Sequence, residues 1–203
     1  MTNGLSDLLL RHPPLAQCAD AVERAFSILL SCYRAGGKVL ICGNGGSAAD
    51  AEHIAGELLK SFRRRRPVAP EVAKRLPPSL TEKLEGALPA VSLVSMCATM
   101  TAFANDVAWE TVFAQQVLGL GKAGDVLVAI STSGNSADCV AAAQVAKALD
   151  MSVVALTGAD GGRLATVADA TVAVPERETF KVQELHLPVY HALCAALEQE
   201  LFP

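Results

Sequence analysis

Twice in this chain an apolar run passes through a loop of small and hydroxyl-bearing residues straight into a helix. The first copy is KVLICGNGGSAADAEHIAGELL, with the loop Gly43, Asn44, Gly45, Gly46 and Ser47. The second is DVLVAISTSGNSADCVAAAQVAKAL, with the loop Ser131, Thr132, Ser133, Gly134, Asn135 and Ser136. A helix start leaves backbone N–H groups unpaired beside the positive end of the helix dipole, an arrangement that suits a phosphate or another small anion. A tight turn with an ordinary cap would account for one such loop. Two loops with five Ser or Thr hydroxyls between them fit ligand binding better.

The remaining elements alternate in the same way. Leu15, Cys18, Ala19, Val22, Ala25, Phe26, Leu29, Leu30 and Tyr33 recur at helical spacing, so a helix over about 15–35 is expected to pack on the domain or on a neighbouring subunit. Strands are expected at Val39–Cys42, Ala90–Ser95, Val126–Ile130, Ser152–Thr157 and Ala170–Val174. Helices are expected at about Ser47–Phe62, before Asn105 and Asp106, at Glu110–Leu118, at Ala137–Leu149, between Gly162 and Ala170, and at the C-terminus, where Pro188 should kink the helix or mark a late start. A short amphipathic piece is expected at Thr81–Gly86, and Arg63–Arg66 reads as a solvated helix end. This alternation calls for a single α/β domain over 1–203, a doubly wound, mostly parallel sheet flanked by helices. Ligands in such sheets bind beyond the carboxyl ends of the strands, where both hydroxyl loops lie.

Composition removes several classes of function. A net charge of −4 gives no general attraction to nucleic acid or to an anionic membrane. No apolar run reaches the roughly 18 residues of a membrane span, and the start of the chain lacks the parts of a secretory signal. Six scattered cysteines without a CxxC pair read as reduced, mostly buried residues of a cytoplasmic protein. Neither loop continues into Gly-Lys-Ser/Thr, so neither is a nucleoside-triphosphate loop. Gly43, Gly45 and Ala48 satisfy a loose G-x-G-x-x-A pattern. An Arg-Pro block stands where a dinucleotide site would need an acidic strand end, and no nucleotide cofactor is expected.

The acid–base candidates lie on two helices. His53 and Glu57 are four residues apart and share a face of the helix that begins at the first loop. Gln183 and His191 on the C-terminal helix are eight residues apart, about two turns along the axis and about 80° around it. A surface ion pair explains His53–Glu57 equally well, and His186 and His191 could be core or interface residues. Proximity to an anion loop favours chemistry, because a carboxylate and an imidazole beside a tethered sugar can move protons between adjacent carbons. The same His, Glu, Gln and His could supply a mixed N/O metal site.

CGNGGSAADAEHIAGEL, AISTSGNSADCV, ALTGADGG and KVQELHLPVYH, in that order from about Leu15 to the C-terminus, resemble the sugar-isomerase (SIS) domain family, specifically the phosphoheptose isomerases. The resemblance implies a flavodoxin-like, Rossmann-type sandwich assembled as a homotetramer with active sites between subunits. It implies an intramolecular oxidoreductase, an aldose–ketose isomerase that converts sedoheptulose 7-phosphate to D-glycero-D-manno-heptose 7-phosphate through an enediol, for heptose and surface-glycan synthesis. On the family pattern Glu57 is the base and His191 its acid/base partner. Asn44, Gly45, Gly46, Ser47, Asn105, Asp106 and Gln183 contact the sugar, Ser131, Thr132, Ser133 and Ser136 cradle the phosphate, and zinc is held by His53, Glu57, Gln183 and His191. The segment VAPEVAKRLPPSLTEKLEGA, at about 67–87, is an insertion relative to shorter members, read as a surface excursion or as a lid, and the Thr-Asp step usual near Met96 is absent.

Two non-catalytic alternatives accompany this resemblance. A related SIS-domain protein binds the bacterial replication initiator and ends in a Leu-Phe-Pro like Leu201–Pro203 here, but lacks the carboxylate at the position of Glu57. A sugar-phosphate sensor would bind without turnover. The intact Glu57–His191 pair speaks for catalysis over both.

Overall fold

Residues 3–203 are described by the computed structural model. Five strands, β1 (Val39–Gly43), β2 (Ala90–Ser92), β3 (Val126–Ile130), β4 (Ser152–Thr157) and β5 (Ala170–Ala173), form one sheet in the order β2-β1-β3-β4-β5. Every pairing is parallel. β1, β3 and nearly all of β4 are buried residue by residue, as a parallel sheet covered on both faces requires. Alternate side chains divide between two cores. Val39, Ile41, Val128, Val154 and Leu156 enter one, and Leu40, Cys42, Leu127, Ala129 and Ala155 enter the other.

The first face is covered by α1 (Asn3–Arg11), α2 (Ala19–Arg34), α3 (Gly46–Leu59) and α9 (Thr179–Leu201). α2 buries Val22, Ala25, Phe26, Leu29, Cys32 and Tyr33 against its own sheet, after a 3-10 turn at Pro13–Cys18. The opposite face carries α7 (Val112–Leu120) and α8 (Ala137–Ala148). α4 (Pro70–Ala73) and α5 (Pro78–Thr81) are short turns of the insertion with no buried residue, and α6 (Cys97–Asp106) likewise buries none. Five cysteines are buried and Cys97 is exposed. Among the described residues no helix is long and apolar enough to cross a membrane.

Several local expectations need correction. The edge strand stops at Ser92 and turns into a 3-10 segment, Leu93–Ser95. Between Gly162 and Ala170 there is a 3-10 turn, Arg163–Thr166, in place of a helix, because too few residues separate β4 from β5 for more. The helical piece of the insertion begins at Pro78 and ends at Thr81, since Pro suits a first helical position. α9 runs unbroken through Pro188 and starts at Thr179, well before it. Packing along the sheet compensates for the missing N–H, with Val182, Val189, Ala192, Leu193 and Ala196 all in the core.

His186 is a core histidine. It is fully buried, and its Nε2 lies 3.1 Å from the Thr157 carbonyl, to which it donates. Burial lowers its pKa to about 4, against the smaller opposing effect of that hydrogen bond. The unfolded chain therefore takes up a proton on His186 below pH 6.5, while the folded chain resists until about pH 4. Its stabilisation is whole above pH 6.5 and is lost as the pH falls across that window, by about 3 kcal/mol in all. His186→Gln is expected to flatten this part of the stability–pH curve, which urea unfolding between pH 7 and pH 4 measures.

Candidate active site

Gly43 and Ile130 are register partners at the carboxyl ends of β1 and β3. From there α3 leaves to one face of the sheet and α8 to the other, so the two hydroxyl loops emerge side by side at the topological switch point. A direct bond joins them. Asn44 Nδ2 donates to both carboxylate oxygens of Asp138, at 3.0 and 2.8 Å. A carboxylate only accepts, so this contact fixes the Asn44 amide with its NH2 inward and leaves its oxygen as the group for a ligand hydroxyl. Asp138 is buried in the first turn of α8 and was not singled out in the sequence.

The second loop is folded on itself. Ser131 Oγ lies 2.9 Å from Ser136 Oγ, and Ser133 Oγ accepts from the Asn135 N–H at 3.1 Å. Thr132, Ser133, Ala137 and Asp138 have backbone N–H groups without a hydrogen-bond partner among the described residues. With the start of α8 they form a donor-rich concavity for an anion. Gly134 has φ +67° and lies against the backbone of Gly161, so no side chain fits there. Gln183 reaches the first loop, and a Cβ on Gly46 would come within 2.5 Å of its amide. Asn44, Gly45, Gly46, Ser47, Ser131, Thr132, Ser133, Ser136 and Gln183 thus belong to one end of the site.

The proton-transfer candidates sit further along the same two helices. His53 Nε2 is 3.4 Å from Glu57 Oε1 and 3.4 Å from His191 Nε2. Behind them Tyr190 Oη donates to Asp50 Oδ1 at 3.1 Å and lies 3.0 Å from His53 Nδ1. With Asp50 ionised, the single Tyr190 proton goes to the carboxylate, so His53 Nδ1 is left to donate to the Tyr190 oxygen and its Nε2 faces Glu57 and His191. Burial holds the Asp50 carboxyl above its usual range despite the Tyr190 bond. Burial, and then the neighbouring His53, hold His191 below the usual imidazole range, with Glu57 opposing. Asp50 and Tyr190 were missed from sequence, although Asp50, His53 and Glu57 fall on one face of α3 by spacing alone.

The zinc donors fit in part. Separations of 3.4 Å from His53 Nε2 to Glu57 and to His191 equal an edge of a tetrahedron around a metal at about 2.1 Å, and a ligating His normally donates its other N–H as His53 does. Gln183 is two turns away against Gly46, so within one chain it belongs to the loops and not with these donors. Among the described residues no group of three or more His, Cys, Asp or Glu is closed into a metal site. Asn105 and Asp106 are also apart. They hydrogen-bond to each other on the exposed end of α6, which packs chiefly on the 109–111 turn and α7.

Arg63, Arg64 and Arg65 are exposed as expected, but α3 stops at Leu59 and Arg66 is fully buried against Glu198, with side-chain exposures of 0% and 1%. Burial would raise the Glu198 carboxyl, but backbone N–H groups of Phe62 and Arg63 and the Arg66 guanidinium hold it below the usual range. The insertion closes at its base through a hydrogen bond from Gly86 N–H to Arg66 O. It folds back along the 61–66 segment, with Ser61 N–H donating to Glu85 and Arg65 to Glu82 O.

Comparison with known proteins agrees with this layout. Residues 10–158 match the family model described as the SIS domain. The phosphoheptose isomerase of Shewanella sp. (strain ANA-3) is 40% identical over 187 residues, covering 91% of this chain and 85% of the relative. This chain belongs to the SIS-domain phosphoheptose isomerases. Among solved structures, the phosphoheptose isomerase from Neisseria gonorrhoeae superposes with a TM-score of 0.77 at 35% identity, covering 96% of this chain and 94% of that one. The enzyme from Francisella tularensis gives 0.74 at 36%, with 89% and 86% covered. Ser131→Ala and Ser133→Ala are expected to raise KM for a phosphosugar about tenfold or more with little change in kcat, since a hydrogen bond to a charged group is worth about 1.5–3 kcal/mol. Steady-state kinetics check this, and a loss confined to kcat would contradict a phosphate-holding role.

Proposed function

We propose that Glu57 and His191 carry the isomerisation of a seven-carbon sugar phosphate in this chain. It is a phosphoheptose isomerase, an intramolecular oxidoreductase that interconverts sedoheptulose 7-phosphate and D-glycero-D-manno-heptose 7-phosphate in heptose biosynthesis. The observation that supports these roles is the convergence of Glu57 and His191 on His53 Nε2. Glu57 removes a proton from C1 of the ketose and returns it to C2, while His191, neutral near pH 7, moves a proton from the C1 hydroxyl to the C2 oxygen. The enediol is the intermediate, atoms balance within the sugar, and no electron carrier is needed. Thr132, Ser133 and the start of α8 hold the phosphate, and Asn44 presents its oxygen to a sugar hydroxyl.

Within one chain Glu57 lies eleven residues past Gly46, about 16 Å along α3, so the loops and the proton-transfer pair stand at opposite ends of that helix. We infer a homotetramer in which a neighbouring subunit completes each site and brings Asn105 and Asp106 to the sugar. What supports it is α6, which buries none of its residues and is followed by Val107 and Trp109 at 65% and 49% exposure. Zinc held by His53, Glu57 and His191 is part of the same reading, and such an ion supplies Lewis-acid polarisation of the sugar oxygens. The same reading takes the protein as cytoplasmic, without a nucleic-acid or membrane partner, and the net charge of −4 supports it.

Glu57→Gln is expected to bind the sugar phosphate but to lose turnover by 10³-fold or more, on the order of what general acid–base groups contribute. A coupled assay for the aldose product checks this, and retained turnover would remove Glu57 as the base. Metal analysis of the purified protein is expected to find one zinc per subunit, lost in His53→Ala. A metal-free protein with full activity would discard the zinc.

A further inference from the structure

The buried ion pair between the end of α3 and α9 has no part in the chemistry above, yet it touches the backbone of the base itself. Arg66 Nη2 donates to the carbonyl of Glu57 at 2.9 Å, Nη1 to that of Leu58 at 2.7 Å, and Nε to Glu198 Oε1 at 2.8 Å. Glu198 accepts three further bonds, from the backbone N–H groups of Phe62, Arg63 and Arg64 at 2.8, 2.8 and 3.0 Å. The Phe202 ring covers the guanidinium, 5.3 Å from its centroid.

Glu57 stands in the last turn of α3, where carbonyls lack intrahelical partners and helices fray. That turn contains no basic residue of its own, so Arg66 supplies the missing donors from outside the helix. Glu198 follows His191 by seven residues on α9, within about 20° of the same face and about 10 Å further along. One guanidinium therefore ties the peptide of Glu57 to the helix that carries His191. Stability alone does not explain such a device, because well-packed apolar residues usually replace a buried ion pair at no loss.

We propose that Arg66 and Glu198 are positioning residues for the isomerisation, a buried clamp that fixes the register of α3 against α9 and so holds Glu57 opposite His191. This rests on the reading of Glu57 and His191 as the proton-transfer pair. The phosphate loops lie at the other end of α3, so the clamp acts on kcat and leaves KM nearly untouched.

The test compares Arg66→Lys, Glu198→Gln and the double variant Arg66→Met/Glu198→Leu with the wild type in the full-length enzyme, with Glu57→Gln as a control. Lys keeps the charge but cannot reach two carbonyls and a carboxylate together, and the double variant fills the space with apolar atoms. Expected are folded proteins whose kcat falls tenfold or more while KM stays within about threefold, with the deficit persisting well below the melting temperature. Wild-type kcat in any folded variant lacking the guanidinium overturns the proposal. Equal losses in KM and kcat, a deficit that vanishes on cooling, or failure of all three to fold also overturn it, leaving the pair a purely structural element. If Glu57→Gln itself retains turnover, the assignment of the base falls instead.

Discussion

The structure depends on the adjacency of β1 and β3. Neither strand is the other's neighbour in sequence, and β2 with its flanking helices intervenes, yet Val39 to Gly43 pair in register with Val126 to Ile130. Because the chain then departs to opposite faces, the crevice between the two strand ends cannot be filled by a crossover. Two helix starts are left pointing at the same space. The Asn44–Asp138 bond closes the join and commits a side chain that would otherwise be free to turn.

A second constraint is the parallel packing of α3 on α9. Gly46 lies against Gln183, His53 against Tyr190 and His191, and the Glu57 and Leu58 carbonyls reach Glu198 through Arg66. The partners advance together along the two helices, with the loop contact at one end and the ion pair at the other. Small residues at the loop end let Gln183 approach the backbone, histidines and a tyrosine meet in the middle, and a buried ion pair terminates the contact. A helix pair so graded from small to charged sets the loop residues and the candidate acid–base residues apart along one axis.

Much of this was legible in the residues. The strands of continuous burial, the two loops and the His53–Glu57 spacing follow from local pattern, since each is set by neighbours within a turn or two. Arg66 was not legible, because an arginine run beside prolines has the pattern of a solvated helix end, and only Glu198, 132 residues on, makes burial of that charge tolerable. The short 3-10 turn at Arg163–Thr166 was misread for a related reason. Its Leu164 is buried like a helix residue, but Gly161 and Gly162 at positive φ take up part of the short connection from β4 to β5 and leave little chain to coil.

The sequence by itself determined the elements, the anion-suited loops and the candidate acid and base, because hydrophobic period, glycine placement and hydroxyl content act over a few residues. It could not tell that Gln183 sides with the loops while His191 sides with His53, or that Asp138 orients Asn44. Those outcomes depend on which strand ends become neighbours and how two helices slide against each other. Contacts between residues a hundred positions apart are set by packing and buried charge, and only the folded chain fixes them.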